Sequence, residues 1–193
     1  DALAGTTIIV DAANGAFSHL IKDLLNYDTC DIVFTNCDPS VGVNVQSGVA
    51  DLEGVAYILA DDIENGLFSR YETLRQILKR GREQIEKLRN TSDLVLGFVF
   101  DGDGDRCFLL NYDPYKDRVL VLNGDVLAFM QASLLQQNYK WKHAPLFVNT
   151  VESDLEAGRA TQQVGFETMQ SAVGDKWILW QACFNDWQSK QEY

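Results

Sequence analysis

The apolar positions of this chain change period repeatedly along its length, and that pattern predicts alternating strands and helices. Short apolar or β-branched runs predict strands at residues 6–10, 31–35, 94–100, 107–111, 119–122, 146–151 and 166–169. Apolar residues near helical spacing predict helices around 17–25, 52–59, 69–89, 126–134, 155–163 and from 174 onward. The sequence therefore predicts an α/β fold of two consecutive α/β units, with mixed, mostly parallel sheets flanked by helices.

Turn and capping signals refine this prediction. The polar stretch after residue 111 places a boundary between units at residues 1–117 and 118–193. Asp125 is predicted to cap the helix that follows it, and Ser153 with Glu156 forms a capping box. The run at residues 94–100 lacks alternation, which predicts a strand buried on both faces.

Composition and charge narrow the possible partners. The chain has 193 residues, 46% of them hydrophobic and 23% charged, which excludes disordered and low-complexity classes. Sixteen Lys and Arg against 28 Asp and Glu give a formal net charge of -12. This charge has the wrong sign for contact with nucleic acid or anionic lipid, so we expect neither nucleic acid nor a membrane as a partner. A phosphorylated ligand would need a local cation or a metal ion.

Targeting segments are not evident in the sequence. No apolar run approaches the roughly 20 residues that cross a bilayer. Residues 1–5 lack the basic and apolar regions of a signal peptide and suggest a cut inside a longer chain. The four cysteines form no Cys-x-x-Cys pair, which favours reduced thiols and a cytoplasmic location.

The strongest candidate for chemistry follows the strand predicted at residues 94–100. It reads Asp101-Gly102-Asp103-Gly104-Asp105-Arg106. In an extended backbone its three carboxylates point to one side, and the glycines let the chain bend around an ion. Asp101, Asp103 and Asp105 are therefore predicted to bind Mg²⁺, a cation that takes oxygen ligands. Arg106 is predicted to hold a phosphate through its forked donors and is the candidate catalytic residue.

Two other interpretations of this run are weaker. A polar surface turn would explain Asp and Gly, but three alternating carboxylates are a costly way to make one. An EF-hand counted from Asp101 would place Arg106 at the required glycine and Tyr112 at the required glutamate, so that interpretation fails.

Several motifs of the chain occur in the order seen in the α-D-phosphohexomutases, the family of phosphoglucomutase, phosphomannomutase and phosphoglucosamine mutase. They are the run at residues 8–16, the aspartate loop with its Arg106, Asn123-Gly124-Asp125 and Val173-Gly174-Asp175-Lys176. The chain resembles this family over most of residues 5–180. Residues 42–45 and 150–155 look most like the phosphoglucosamine mutase branch.

The resemblance implies a four-domain parent enzyme, with residues 1–117 similar to its second domain and residues 118–193 to part of its third. It implies that a phosphoserine from the first domain, whose loop is not found in this sequence, adds an oxygen ligand to the Mg²⁺. In the family that phosphoserine donates its phosphoryl group to a hexose phosphate, the bisphosphosugar reorients, and the other phosphate returns to the serine. The implied partners are a hexose phosphate and the missing domains of the same polypeptide, and the fragment alone would be inactive.

A second candidate site comes from the same resemblance. Gly174, Asp175 and Lys176 match the family's loop near the sugar phosphate, which implies that they bind substrate. A helix cap followed by an exposed lysine explains the same spacing equally well. The family's Glu-x-Ser-Gly motif does not follow, and the stretch from Gly48 to Leu94 is longer than the family pattern leads us to expect.

A phosphatase is the first alternative function. Haloacid dehalogenase-like phosphatases also place Asp-x-Asp after an apolar strand, so Asp101 would be the nucleophile and Asp103 the acid/base. Thr150 and Lys176 could supply their hydroxyl and lysine. The Asp105-Arg106 pair departs from that family's pattern.

A non-catalytic role is the second alternative. The chain could act only as a metal-binding or docking domain. The basic helix predicted at residues 69–89 is the candidate docking surface in an acidic chain. A solvated helix face is the plainer interpretation of its charges.

Overall fold

The computed structural model describes residues 4–25, 29–87 and 94–191. The chain divides into two compact units, Asp1–Gly124 and Asp125–Tyr193. The boundary thus lies after Gly124 and not after residue 117 as the sequence predicted. The reason is that the strand Arg118–Leu122, placed in the second unit by the sequence, pairs with strands of the first.

The first unit contains a six-stranded mixed sheet. Its strands are β1 (Thr7–Asp11), β2 (Asp31–Thr35), β3 (Tyr57–Leu59), β4 (Val95–Phe100), β5 (Cys107–Asp113) and β6 (Arg118–Leu122). They lie in the order β2-β1-β4-β5-β6-β3. β1 runs parallel to β2 and β4, whereas the β4-β5, β5-β6 and β3-β6 pairs are antiparallel. The α/β class and the mixed sheet are confirmed, but this sheet is not mostly parallel.

The helices of the first unit differ from the sequence prediction at residues 52–59 and at Ala60–Glu64, a helix that the sequence did not predict. Two 3-10 turns, Ala16–His19 and Ala50–Leu52, accompany the helices α1 (Ile21–Leu24), α2 (Ala60–Glu64) and α3 (Glu72–Lys87). The helix predicted over residues 52–59 is wrong, because that segment turns at Gly54 and enters β3. Pairing of β3 with β6 stabilises the strand, and the apolar spacing alone did not reveal it.

The core of the first unit lies between α3 and one face of the sheet. Leu74 and Ile77 of α3 are fully buried and belong to one cluster with Ile9, Val99 and Leu110 of the sheet. Burial alternates along β4, so the prediction that this strand is buried on both faces is only partly right. The opposite face carries a smaller cluster that includes Ile8, Val10 and Ile21.

The charged face of α3 is a surface of ion pairs. Arg80 Nη1 lies 2.8 Å from the carboxylate of Asp31, and Arg82 bridges Glu64 and Asp117 at 2.6 Å each. These contacts agree with a solvated helix face whose basic side chains are paired with the acidic surface.

The second unit contains a parallel pair of strands and three helices. Its elements are α4 (Gly124–Asn138), β7 (Leu146–Thr150), α5 (Leu155–Gln163), β8 (Glu167–Ser171) and α6 (Asp175–Gln191). In the parts of the chain that the structure describes, no helix combines the length and apolar character needed to span a membrane.

Neither predicted cap of the second unit caps its helix. α4 begins at Gly124, so Asp125 lies inside the first turn and does not cap it. Its carboxylate instead accepts a hydrogen bond from the backbone N–H of Asp154 at 2.8 Å. Asp154, and not Ser153, caps α5 by accepting from the N–H of Glu156 at 2.9 Å.

A buried carboxylate at the end of β1 ties several segments of the first unit together. Asp11 is fully buried, and its Oδ1 accepts from the backbone N–H groups of Ala13 (2.8 Å) and Gly48 (3.3 Å). Its Oδ2 accepts from Asn36 Nδ2 at 2.7 Å and from the hydroxyl of Thr73 at 2.6 Å. Burial raises the pKa of Asp11, and these four donors act against that shift by stabilising the ionised form. The carboxylate thus joins the loop after β1, the loop after β2, the segment at Gly48 and helix α3.

Gly48 sits where three segments meet. It adopts φ +73, and a Cβ there would lie 2.6 Å from Ala13 Cβ and 2.9 Å from the carbonyl oxygen of Phe100. The hydroxyl of Tyr71 donates to the Gly48 carbonyl. Because the Phe100 oxygen is backbone, a side chain at position 48 cannot be accommodated by a rotamer change. Gly54 has nearly the same φ, +71, but a Cβ there would meet nothing within 4 Å.

Replacing Gly48 by alanine should therefore destabilise the first unit. We expect Gly48→Ala to lower the free energy of unfolding by about 3 kcal/mol, from left-handed strain plus overpacking. The matched variant Gly54→Ala carries only the strain and should cost about 1 kcal/mol. Urea unfolding followed by circular dichroism compares the two, and equal losses would show that the close approach at Gly48 is absent.

The hydroxyl of Thr73 should likewise contribute to stability. Thr73→Val keeps the shape of the side chain but removes a donor from the buried Asp11 carboxylate, so we expect a loss of about 2 kcal/mol. Thr73→Ser keeps the hydroxyl and loses one methyl, worth about 0.8 kcal/mol. The same unfolding measurement applies, and a valine variant as stable as the serine variant would contradict the role given to Asp11.

Candidate metal and phosphate site

The aspartate run forms the connection between two antiparallel strands. Residues 101–106 join the end of β4 to the start of β5, which pair in register from Phe100 and Cys107 outward. The loop is closed by hydrogen bonds from Asp101 N–H to the Arg106 carbonyl (3.3 Å) and from Gly104 N–H to the Asp101 carbonyl (3.2 Å). Its compact turn brings alternate side chains to one place.

Three carboxylates meet in this loop. One oxygen each from Asp101, Asp103 and Asp105 lies within 4.8 Å of the others. Asp101 is buried, and the other two are exposed. In an octahedral Mg²⁺ site with bonds of about 2.1 Å, adjacent oxygens lie about 3 Å apart and opposite oxygens about 4.2 Å apart, so the carboxylates would draw closer around the ion. The residues fit a hard divalent cation.

Asp101 is the fixed member of the three. Its Oδ1 accepts from the backbone N–H groups of Gly104 (3.0 Å) and Arg106 (3.1 Å), and its Oδ2 accepts from Arg106 Nε at 2.8 Å. Burial opposes ionisation, but the bonds from Arg106, together with Asp105, outweigh it and hold the pKa of Asp101 below its usual range. Asp101 is thus ionised and oriented, as a metal ligand would be.

Arg106 lies beside the three carboxylates, and its side chain is half exposed. Nε is engaged by Asp101, and Nη1 lies 2.8 Å from Oε1 of Glu53. The contact with Glu53 was not anticipated from the sequence, because 53 positions separate the two residues. An exposed guanidinium next to a cation site is suited to bind a phosphate oxygen.

Two other loops close around the aspartate loop. The N–H of Ala16 donates to the Gly102 carbonyl at 2.7 Å, and a Cβ on Gly15 would lie only 1.9 Å from that oxygen. On another side, the Val43 side chain lies 2.4 Å from the place of a Cβ on Gly102. The segments at residues 8–16 and 42–45, which carried part of the family resemblance, therefore contact the candidate metal loop.

The site residues predicted in the second unit lie at the start of α6. Gly174 has φ +114, and its carbonyl accepts from the N–H of Trp177 at 2.9 Å. Asp175 stands in the first turn, and Lys176 Nζ lies 4.9 Å from the Trp177 ring centroid. All three predicted residues are exposed. They belong to the second unit, whereas the aspartate loop and Arg106 belong to the first.

The residues of the phosphatase alternative are likewise divided between the units. Thr150 ends β7 in the two-stranded sheet, where its hydroxyl accepts from the N–H of Glu152 at 3.3 Å. Asp101 lies in the first unit, at a turn between antiparallel strands.

Known proteins similar in sequence are phosphoglucosamine mutases. That of Bifidobacterium longum (strain DJO10A) is 28% identical over 177 residues, covering 92% of this chain and 31% of the relative. That of Leptothrix cholodnii is 29% identical over 187 residues, covering 96% of this chain and 34% of the relative. The chain thus spans about a third of the length of these relatives. No family model matches the chain.

Solved structures of similar fold include mutases that act on sugar phosphates. An N-acetylglucosamine-phosphate mutase of the alpha-D-phosphohexomutase superfamily, in its substrate complex, has a TM-score of 0.61 and 20% identity, covering 93% of this chain and 31% of that one. The Aspergillus fumigatus N-acetylphosphoglucosamine mutase in complex with GlcNAc-6P and magnesium has a TM-score of 0.54 and 18% identity, covering 91% and 30%. The resemblance predicted from the motifs is confirmed: in sequence and fold, this chain is similar to the α-D-phosphohexomutases over about nine-tenths of its length.

Proposed function

We propose that the chain is the metal-binding part of a Mg²⁺-dependent phosphohexomutase that interconverts hexose 1-phosphate and hexose 6-phosphate. The observation that carries this proposal is the meeting of three carboxylate oxygens within 4.8 Å beside the half-exposed Arg106. The similarity to phosphoglucosamine mutases supports an amino-sugar phosphate as the hexose substrate.

The proposed chemistry is phosphoryl transfer in two steps. In the first, the P–O bond of a phosphoserine breaks, its phosphoryl group passes to a free sugar hydroxyl, and the hydroxyl proton goes to the serine oxygen. In the second, the P–O bond at the other position of the reoriented bisphosphosugar breaks, that phosphoryl group passes to the serine oxygen, and the serine proton goes to the sugar oxygen left behind. A bound Mg²⁺ supplies charge stabilisation to the transferring group. Arg106 orients a phosphate oxygen through its terminal N–H groups, and Asp101 fixes Arg106 through Nε.

The same proposal assigns a different ligand to each unit. The first unit corresponds to the second domain of the family and holds the metal ion. The second unit corresponds to part of the third domain of the family. Gly174, Asp175 and Lys176 would contact the sugar phosphate, with Lys176 offsetting its charge. Because the chain spans about a third of its relatives, the phosphoserine is assigned to another part of the parent polypeptide, and the chain alone should be inactive.

Metal binding tests the proposal directly. We expect the chain to bind Mg²⁺ at one site, and Asp103→Ala to weaken that binding at least about tenfold because it removes a ligand. Calorimetric titration measures both affinities. Asp62→Ala removes the same charge from α2 and should leave the affinity within about twofold. Equal, weak binding by the wild type and Asp103→Ala would overturn the metal assignment.

An activity assay separates the mutase from the phosphatase. Incubated with Mg²⁺ and either a generic phosphoester or GlcNAc 6-phosphate, the chain should release no inorganic phosphate and form no 1-phosphate. A haloacid dehalogenase-like phosphatase would instead release phosphate, and Asp101→Asn would abolish the release. Magnesium-dependent release lost in that variant would favour the phosphatase, and unassisted mutase turnover would refute the inactivity of the chain alone.

A further inference from the structure

The guanidinium of Arg106 is shared between two carboxylates in very different surroundings. Nε donates to Asp101, whose side chain is 6% exposed, and Nη1 donates to Glu53, whose side chain is 53% exposed. Both distances are 2.8 Å. The bond to Asp101 belongs to the interior of the loop, whereas the bond to Glu53 lies at the surface.

Glu53 is carried to Arg106 by a well-anchored segment. It follows the 3-10 turn Ala50–Leu52, in which Leu52 is fully buried in the core beneath α3. The backbone then turns, with the N–H of Val55 donating to the Leu52 carbonyl at 3.1 Å. The backbone at Glu53 is therefore held in place, while its side chain reaches across the surface to Arg106.

The geometry of the guanidinium makes Glu53 a competitor of an incoming anion. Arginine binds a phosphate best through two parallel N–H bonds from one edge of its fork. Since Nε is committed to the buried Asp101, the edge left for a phosphate consists of the two terminal nitrogens. Glu53 occupies Nη1 on that edge. A phosphate that takes both terminal nitrogens therefore competes with Glu53 for Nη1.

The Arg106–Glu53 ion pair is weak enough for a phosphate to replace Glu53. An exposed pair such as Arg106 with Glu53 contributes about 0 to 1 kcal/mol, because water screens both charges. A phosphate monoester carries more charge than a carboxylate and would also face the cation proposed at the aspartate loop. Glu53 can therefore be displaced, but while it remains in place it lowers the apparent affinity for the anion.

We propose that Glu53 sets the affinity of this site for phosphate monoesters by competing with them for the terminal nitrogens of Arg106. The proposal rests on the proposed function for the class of anion. Glu53 acts through Arg106 and is in this sense a positioning residue. Two effects follow: Glu53 keeps Arg106 paired when no phosphate is bound, and it lowers the affinity of every anion that takes the same nitrogens by the same factor.

Removal of the Glu53 charge tests this competition. The probe is inorganic phosphate, added to the full chain at saturating Mg²⁺. Glu53→Gln should bind phosphate about three- to fivefold more tightly than the wild type, because the phosphate no longer has to replace an exposed ion pair. The Nε–Hε NMR signal of Arg106 reports the binding at the residue concerned. Asp51→Asn, which removes a charge two positions away, should change the affinity by less than about 1.5-fold. In an Arg106→Gln background, Glu53→Gln should have no effect.

Three outcomes would overturn the proposal. The first is that Glu53→Gln binds phosphate no more tightly than Asp51→Asn, which includes the case in which no variant binds phosphate. The second is that Glu53→Gln binds phosphate more weakly than the wild type, and the third is that Glu53→Gln gains the same affinity in the Arg106→Gln background. Weaker binding would mean that Glu53 holds Arg106 in the binding pose. The Mg²⁺ titration of the wild type and Asp103→Ala does not involve Glu53, so a failure of the metal site and a failure of this competition are recognised separately.

Discussion

Mutual repulsion of three carboxylates is the constraint around which the candidate site is organised. Two unit charges 4.8 Å apart, the limit found for these oxygens, repel by about 1 kcal/mol in bulk water and about 3 to 4 kcal/mol at an effective dielectric constant of 20. Arg106 and two backbone N–H groups offset the charge of Asp101. The loop as a whole stays acidic, and a bound divalent cation would relieve the repulsion that its compact turn imposes.

The first unit holds this unfavourable arrangement through contacts made outside the loop. Antiparallel pairing of β4 with β5 fixes both ends of the turn, and the Ala16 N–H fixes the carbonyl of Gly102. Asp11 joins the neighbouring loops to α3 through four hydrogen bonds. The positive φ of Ala13 and Asn14, 53° each, is backbone strain that this network can hold in place. The site is therefore built on a rigid scaffold, as metal ligands require.

Sequence patterns predicted an element correctly where interactions within its own segment determine its structure. β2 was predicted at residues 31–35, where it lies, and the end of α5 at Gln163 was also right, because each segment carries its own spacing and turn signals. The segment at residues 52–59 was misjudged because pairing with the distant β6 decides its structure. The aspartate loop was recognised as a metal candidate because its ligands are adjacent in sequence.

Contacts between residues that lie far apart in the sequence could not be predicted from it. Asp11 was covered only by the motif at residues 8–16, since its partners Asn36 and Thr73 lie 25 and 62 positions away. The same holds for Glu53 and Arg106. A signal did exist for Asp11, namely an ionisable residue at the end of an apolar strand, where a buried carboxylate must find donors. Its donors could be named only after folding.

The acidity of the chain makes these local contacts decisive for an anionic ligand. With a net charge of -12, the long-range field opposes the approach of a phosphate. At physiological ionic strength that field is screened beyond about 8 Å, so the groups within this distance determine binding. At the aspartate loop those groups include the guanidinium of Arg106 and whatever cation the carboxylates hold. The charge of Glu53 then affects anion binding because the Glu53 carboxylate contacts that guanidinium directly.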